Sequence, residues 1–288
     1  MDSSGDEEGG NNSESDGLLG RYTGKQNISQ AMFRFFESYG LCELTQLAEA
    51  VQRDKSDTST FWRFQLSGTT FTTTWATWQR AYNDRTRLQP ICEFSCDFNQ
   101  EEYETVDKSI EAFELVMETS NIDPNIFVKD MFDILHRKLN KVNSIVLQGP
   151  ANSGKSLIVR PLTVLIPNYG QVMGTGADAF AWENCVDRRF GLFEEPVLDP
   201  CTINPMKIIM EGGPLGVNVK YSNKVNLRRL PLIITTNHDL WLLSKKDKVP
   251  IQARMKHYLF NNCPELINYC KPLNPNLWKH LFSFLNLN

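Results

Sequence analysis

The stretch "IVLQGPANSGKSLIV", residues 145–159, sets two glycines, a lysine and a serine directly behind an apolar run. Within it, Gly149-Pro150-Ala151-Asn152-Ser153-Gly154-Lys155-Ser156 fits the pattern G-x-x-x-x-G-K-[ST]. Each position has a physical job in holding a triphosphate. Gly149 and Gly154 permit the bends that turn successive backbone N–H groups around phosphate oxygens, and the helix expected after them offers its positive end to the same anion. Lys155 is suited to the β- and γ-phosphates, and the Ser156 hydroxyl to Mg²⁺. Chance alone would write this pattern into roughly one chain in a hundred of this length. Context lowers that figure, because "SIVLQ" (144–148) reads as a strand and "KSLIVRPLTVLI" (155–166) as a helix that Pro161 is expected to kink. ATP and Mg²⁺ are the expected ligands. The loop names no reaction by itself, since kinases, GTPases and motors share it.

Two later segments narrow the choice. "RRFGLFEEP" (188–196) is an apolar run that ends in adjacent carboxylates. Successive side chains on a strand face opposite ways, but where the chain turns at the strand's end both can approach one site. Glu194 is assigned to the metal and Glu195 to polarising the attacking water, a base role that hydrolysis needs and transfer to a bound acceptor does not; the reverse assignment fits the same residues. "LPLIITTNHDL" (230–240) is a second buried-looking run, ending in Asn237, whose amide can donate to a γ-phosphate oxygen and accept from water.

The rest of the chain sets bounds. It has 288 residues, 41% hydrophobic and 22% charged, as expected of a globular protein with a real core. No apolar run approaches the roughly 18–20 residues of a membrane span, and the acidic N-terminus does not read as a secretory signal. The net charge of −4 comes from residues 1–20, which hold six acids and no base; the remainder carries 30 basic and 28 acidic residues. Seven irregularly spaced cysteines read as free thiols, Cys92 and Cys96 lacking further ligands for a metal.

Residues 1–19 are read as a disordered acidic tail, and 20–105 as a small helical or mixed region of unknown role. Within that region one helix is expected to end at Gly40 and a second to follow through Val51. "FWRFQLSGTTFTTTWATWQRAY" (61–82) is read as a strand in its first half, while its second half fits either a strand or a helix. Trp62, Trp75 and Trp78 serve either a small core or stacking on bases. Helices are expected over 107–119 and 125–139, the latter started by Asp123-Pro124. Apolar runs at 144–148, 190–193 and 230–236 then alternate with helical stretches, which predicts a three-layer α/β domain on a mainly parallel sheet over 106–288.

The order "GPANSGKS", "FGLFEEP", "LIITTN" within residues 149–237 resembles the superfamily 3 helicases of small DNA viruses, above all the large replication (Rep, or non-structural) proteins of parvoviruses and densoviruses. The resemblance covers roughly 115–262 and includes "NIDPNIFVKDMFDILHRKLNKVNSI", "WENCVDRRFGLFEEP" and "MEGGPLGVNVKYSNK". It implies an AAA+ type ATPase in the nucleus of a host cell, forming a ring, a hexamer, on single-stranded or forked DNA and translocating 3′ to 5′ in viral replication or genome packaging. It also implies a DNA-gripping hairpin at "GVNVKYSNK", with Lys220 and Lys224 as phosphate contacts, and an arginine, Arg254 in "IQARMKHYLF", that enters the neighbouring subunit's site. The resemblance further implies that the helical segment of about 106–140 is the counterpart of the family's oligomerisation region. Two departures matter. Leu215-Gly216 stand where many members carry a basic residue, which leaves open a regulator that binds DNA or protein without unwinding. The family's nicking domain uses a His-hydrophobe-His motif, and the four histidines here, at 136, 238, 257 and 280, form no such pair, so no origin nicking is expected of this chain.

Overall fold

A computed structural model describes residues 25–38, 47, 68–96, 98–174, 179–220 and 223–287. The chain divides into two compact units, Met1–Ala81 and Tyr82–Asn288, a division that falls ahead of the one expected at 105/106. The expectation of an acidic tail at 1–19 lies outside the described residues, as do nearly all of the helix expected over 44–51 and residues 61–67 of the strand expected in the first half of 61–82; the end of that half is helical instead, from Thr69 onward.

In the first unit α1 (Lys25–Ser38) and the first part of α2 (Thr69–Thr86) are helical. Met32 and Phe36 are fully buried; the Phe36 ring meets Trp75 edge-on at 5.0 Å and Phe33 meets Trp78 at 5.7 Å. Trp75 and Trp78 thus belong to an aromatic core, at 6% and 4% exposure. The Thr-rich segment, ambiguous in sequence, is a helix whose hydroxyls bond back four residues, as Thr77 Oγ1 does to the Thr73 carbonyl at 2.8 Å.

The second unit opens with α3 (Val106–Thr119) and α4 (Pro124–Leu135). Thr105 caps α3 through the Lys108 N–H, and Asp123 Oδ1 caps α4 through the N–H groups of Asn125 and Ile126 at 2.8 and 3.1 Å, with Pro124 at the first helical position. The expected end of α4 at 139 is four residues too late. Arg137 turns left-handed at φ 58, and the N–H groups of Arg137 and Lys138 fold back onto the carbonyls of Ile134 and Asp133, closing the helix.

β1 (Ser144–Gln148), α5 (Lys155–Leu165), β2 (Tyr169–Gln171), β3 (Phe190–Glu194), α6 (Ile203–Met210), β4 (Leu215–Val217), β5 (Val225–Leu227), β6 (Leu232–Thr236), α7 (Lys248–Gln252), β7 (Met255–Leu259) and α8 (Leu277–Phe284) follow. Five strands form one sheet in the order β2-β3-β6-β1-β7, every pair parallel. Alternation sorts their side chains onto two faces. Ile145, Leu147, Phe190, Leu192 and Ile233 enter a core with residues of α3, α4, α5 and α8; Val146, Phe193, Leu232 and Ile234 enter a second core with residues of α6 and of the antiparallel hairpin β4–β5. Burying each such side chain contributes about 1.5–3 kcal/mol. The three-layer α/β architecture expected from the sequence is therefore present, with Pro161 inside α5.

Candidate nucleotide site and hairpin

In a parallel sheet every strand points the same way, so loops leaving the carboxyl ends gather along one edge, where ligands of such folds sit. β6 lies between β1 and β3, and all three end there together. The G-x-x-x-x-G-K-S loop leaves β1, the Glu pair leaves β3 and Asn237 leaves β6.

The loop is built by close approach. A Cβ on Gly149 would stand 2.3 Å from the carbonyl oxygen of Phe260, and Gly154, at φ +83, faces Val116 and Leu266 side chains at 2.7 and 3.1 Å. The chain after β7 straps the loop: the Phe260 N–H donates to the Gln148 carbonyl at 2.7 Å, and the Cys263 N–H to the Asn152 carbonyl at 3.1 Å. Asn152 is left-handed at φ 59, and Gly154 stands at the start of α5 with no side chain capping that helix.

Lys155 is buried, at 7% exposure, and its ammonium donates to the carbonyls of Gly149 and Pro150 at 2.7 Å, to Ser153 Oγ at 3.0 Å and to Asn237 Oδ1 at 3.2 Å. Burial holds its pKa below the ordinary lysine value, and the Glu195 carboxylate pulls it back up. Ser156, half-buried, follows on the first turn.

The two carboxylates separate in geometry. Glu194 continues the alternation of Phe190 and Leu192, on the face that α5 covers, and its Oε2 accepts from Gln171 Nε2 at 2.9 Å. Glu195 is left-handed at φ 47, which swings its side chain out of the strand's alternation; its Oε2 accepts the Asn237 N–H at 2.9 Å. Glu195, Asn237 and Lys155 thus form one connected cluster. Gln148 was not expected from the sequence at this edge, yet its Nε2 donates to Asp239 Oδ1 at 3.0 Å and its Oε1 faces His257 Nε2 at 2.8 Å. Neither Gln148 nor the strap at 260–263 carries a signal in sequence, because their partners lie far along the chain.

The remaining expected residues stand elsewhere. β4 and β5 pair as a hairpin, Leu215 opposite Leu227 and Val217 opposite Val225. Lys220 and Lys224 are exposed in its connection. The Lys220 N–H donates to Glu183 Oε1 at 2.9 Å and its ammonium lies 5.9 Å from the Phe180 ring centre. A cavity of about 180 Å³ at the hairpin's base is lined by Leu215 and Val217 and by Phe193, the neighbour of Glu194. Arg254 is not part of the cluster. It pairs with Glu211 at 2.8 Å and precedes β7, whose first residue pairs with Ser144 at the start of β1. Five residues at about 3.3 Å each put it about 16 Å from the loop of its own chain.

The donor set suits a magnesium nucleotide. Uncapped N–H groups at a helix start and a desolvated ammonium favour an anion. Ser156 and Glu194 offer hard oxygens, and among the described residues no group of three or more His, Cys, Asp or Glu forms a cage, so a cation here would complete its shell with phosphate oxygens and water, the habit of Mg²⁺.

Comparison with known proteins places the fold and the family. Initiator protein NS1 of Bombyx mori densovirus is 28% identical over 158 residues, 54% of this chain and 17% of that protein. Initiator protein NS1 of Diatraea saccharalis densovirus is 24% identical over 211 residues, 72% of this chain and 38% of that protein. The chain thus matches well under half the length of these relatives. A solved structure of JCV helicase with a bound acetamide compound shares the fold, with a TM-score of 0.52 at 10% identity over 92% of this chain and 87% of that one. The family model described as parvovirus non-structural protein NS1 matches residues 81–262, and the chain belongs to that family.

Proposed function

We propose that this chain hydrolyses ATP to drive a ring, a hexamer, along single-stranded or forked DNA in the 3′ to 5′ direction, for viral DNA replication or packaging in the host nucleus. The observation that carries the reading is the Lys155–Asn237–Glu195 cluster at the strand ends, which joins a cation for phosphate, an amide for the γ-position and a carboxylate for water. A protein that only bound nucleotide would have no use for the last of these. The names of the relatives, initiator proteins and a helicase, point the same way.

In this reading the backbone N–H groups of 151–156 and the Lys155 ammonium hold the triphosphate. Ser156 and Glu194 would hold Mg²⁺, which when bound would neutralise charge on the phosphates. Glu195 accepts the proton of the attacking water, and Asn237 orients that water against the γ-phosphate. Arg254 is too far from its own loop to take part there; on a neighbouring subunit it would supply positive charge as the γ-phosphate leaves. Lys220 and Lys224 grip backbone phosphates as point charges, giving affinity without sequence reading.

Leu215 favours a second reading. It is half-buried and lines the cavity at the hairpin's base, so a position that is basic in many relatives offers no charge to DNA. A hairpin with fewer grips suits a regulator that binds DNA or protein on the same ATPase fold without unwinding. Strand displacement of a forked duplex, measured beside DNA-stimulated ATP hydrolysis, tests the proposal. Unwinding that depends on ATP supports the motor. DNA binding with no strand release selects the regulator, and no hydrolysis under any condition removes the motor.

A further inference from the structure

Opposite the phosphate loop, at the amino ends of β1, β3 and β6, four guanidinium groups crowd together. Arg137 reaches in from the left-handed turn that ends α4. It donates from Nη1 to the Arg87 carbonyl at 3.1 Å and from Nη2 to the Arg189 carbonyl at 2.7 Å. Arg189, directly before β3, is fully buried and donates Nη1 to that same Arg87 carbonyl at 2.8 Å. Arg229, before β6, donates Nε to Asn143 Oδ1 at 3.0 Å.

Every acceptor in this cluster is neutral. Among the described residues the nearby carboxylates are taken by an outer arginine: Arg228 pairs with Asp84 at 3.3 Å and with Asp187 at 3.6 Å. The inner four have no ion pair among the described residues. Three of their buried N–H groups, Nε of Arg87 and Nε and Nη2 of Arg189, have no acceptor among the described residues. Buried donors are rarely left so, and buried charges are normally matched by opposite charge. Desolvation, with repulsion from Arg189, Arg87 and Arg229, lowers the pKa of Arg137 to about 9; burial lowers that of Arg189 to about 10.

We propose that this cluster is a second anion site, separate from the phosphate loop, which takes a small tetrahedral oxyanion of the inorganic phosphate class. Guanidinium groups present paired N–H donors that match phosphate oxygens, and an anion there would supply both the missing acceptors and the missing charge. Water would satisfy the hydrogen bonds but not the charge. Full burial of Arg189 favours a small ion over a phosphate of a nucleic-acid backbone.

The test is thermal unfolding of the full chain, with the phosphate loop first filled by magnesium AMP-PNP so that any further response comes from elsewhere. Inorganic phosphate at about 10 mM should raise the midpoint by about 2–4 °C, the shift expected for a dissociation constant near 1 mM, and sulfate should act alike. Potassium chloride of matched ionic strength should not. Arg87→Met and Arg137→Met should each lose most of that rise, and Arg87→Met, on a half-exposed residue, remains informative if Arg137→Met fails to fold. A purely structural cluster would leave the phosphate response intact in both variants, which overturns the proposal. So does a wild-type chain that ignores phosphate and sulfate. A tenfold loss of oligonucleotide binding in Arg87→Met, without a phosphate response in the wild type, would reassign the cluster to DNA.

Discussion

Lys155 has three ammonium protons for four acceptors, and none of the four is a carboxylate. Its charge is therefore solvated directly by dipoles, with the Glu195 carboxylate acting on it only from beyond hydrogen-bond reach, a state that a phosphate oxygen in direct contact improves on. Lys155→Ala should lower ATP hydrolysis at least about 100-fold, the scale of losing a charge-stabilising donor, and weaken nucleotide binding; steady-state phosphate release and fluorescent-nucleotide titration read the two effects. Glu195→Gln should behave differently. The amide keeps an oxygen for the Asn237 N–H but cannot take a proton, so ATP should still bind while turnover falls by about 10²–10⁴. Normal turnover in Glu195→Gln, with loss in Glu194→Gln, would reverse the two carboxylates. The geometry favours Glu195 as the base, because the left-handed turn there aims its side chain at Asn237, whereas Glu194 stays in line with its strand.

α4 and the hairpin each carry a measurable consequence of where they end. His136 follows the last turn of α4, with Nδ1 2.9 Å from the Phe132 carbonyl and its ring 4.0 Å from that of Phe132. Burial first, then repulsion from Arg189, Lys138 and Arg137, lowers its pKa from 6.5 to about 4. The sign follows from linkage: between those values the unfolded chain binds the proton that the folded chain refuses. The stability that this residue contributes is whole above about 6.5 and is lost as pH falls through about 4. Melting temperature should fall on acidification across that window, and His136→Gln should flatten the fall relative to wild type; an unchanged slope would mean that other groups set it. In the hairpin, Lys220 is held at its backbone by Glu183 while its ammonium stays exposed. A phosphate contact made by such a side chain releases about one counterion, so Lys220→Ala should weaken DNA binding similarly for all sequences. The slope of log affinity against log salt should shrink by about 1. An equal slope in the variant would remove Lys220 from the interface.

Much of the molecule was legible because its logic is local. The loop, the Glu pair and Asn237 are each written within a few residues, and apolar runs of strand length mark the strands that carry them. What stayed hidden depends on contacts between distant residues. Gly149 is required by Phe260, the arginine cluster joins residues 87, 137, 189 and 229, and the left-handed Arg137 shortens α4 in a sequence with no glycine to announce it. Arg254 is the case in which neither sequence motif nor single-chain geometry is enough. Within one chain it is an ordinary ion pair with Glu211, at the wrong end of the sheet for its own nucleotide. If it acts across a subunit boundary, the defect in Arg254→Ala belongs to the neighbour's site. Two variants that are inactive alone, Arg254→Ala and Lys155→Ala, should then recover part of the ATP hydrolysis when mixed. In a mixed ring some interfaces combine an intact loop from the Arg254→Ala subunit with an intact arginine from the Lys155→Ala subunit. With random assembly of equal amounts about one interface in four has both, so about a quarter of wild-type hydrolysis is expected if interfaces act independently. Mixing that restores nothing, under conditions where size measurement shows mixed assemblies, would return Arg254 to the role of a salt bridge. Substantial activity in Arg254→Ala alone would do the same.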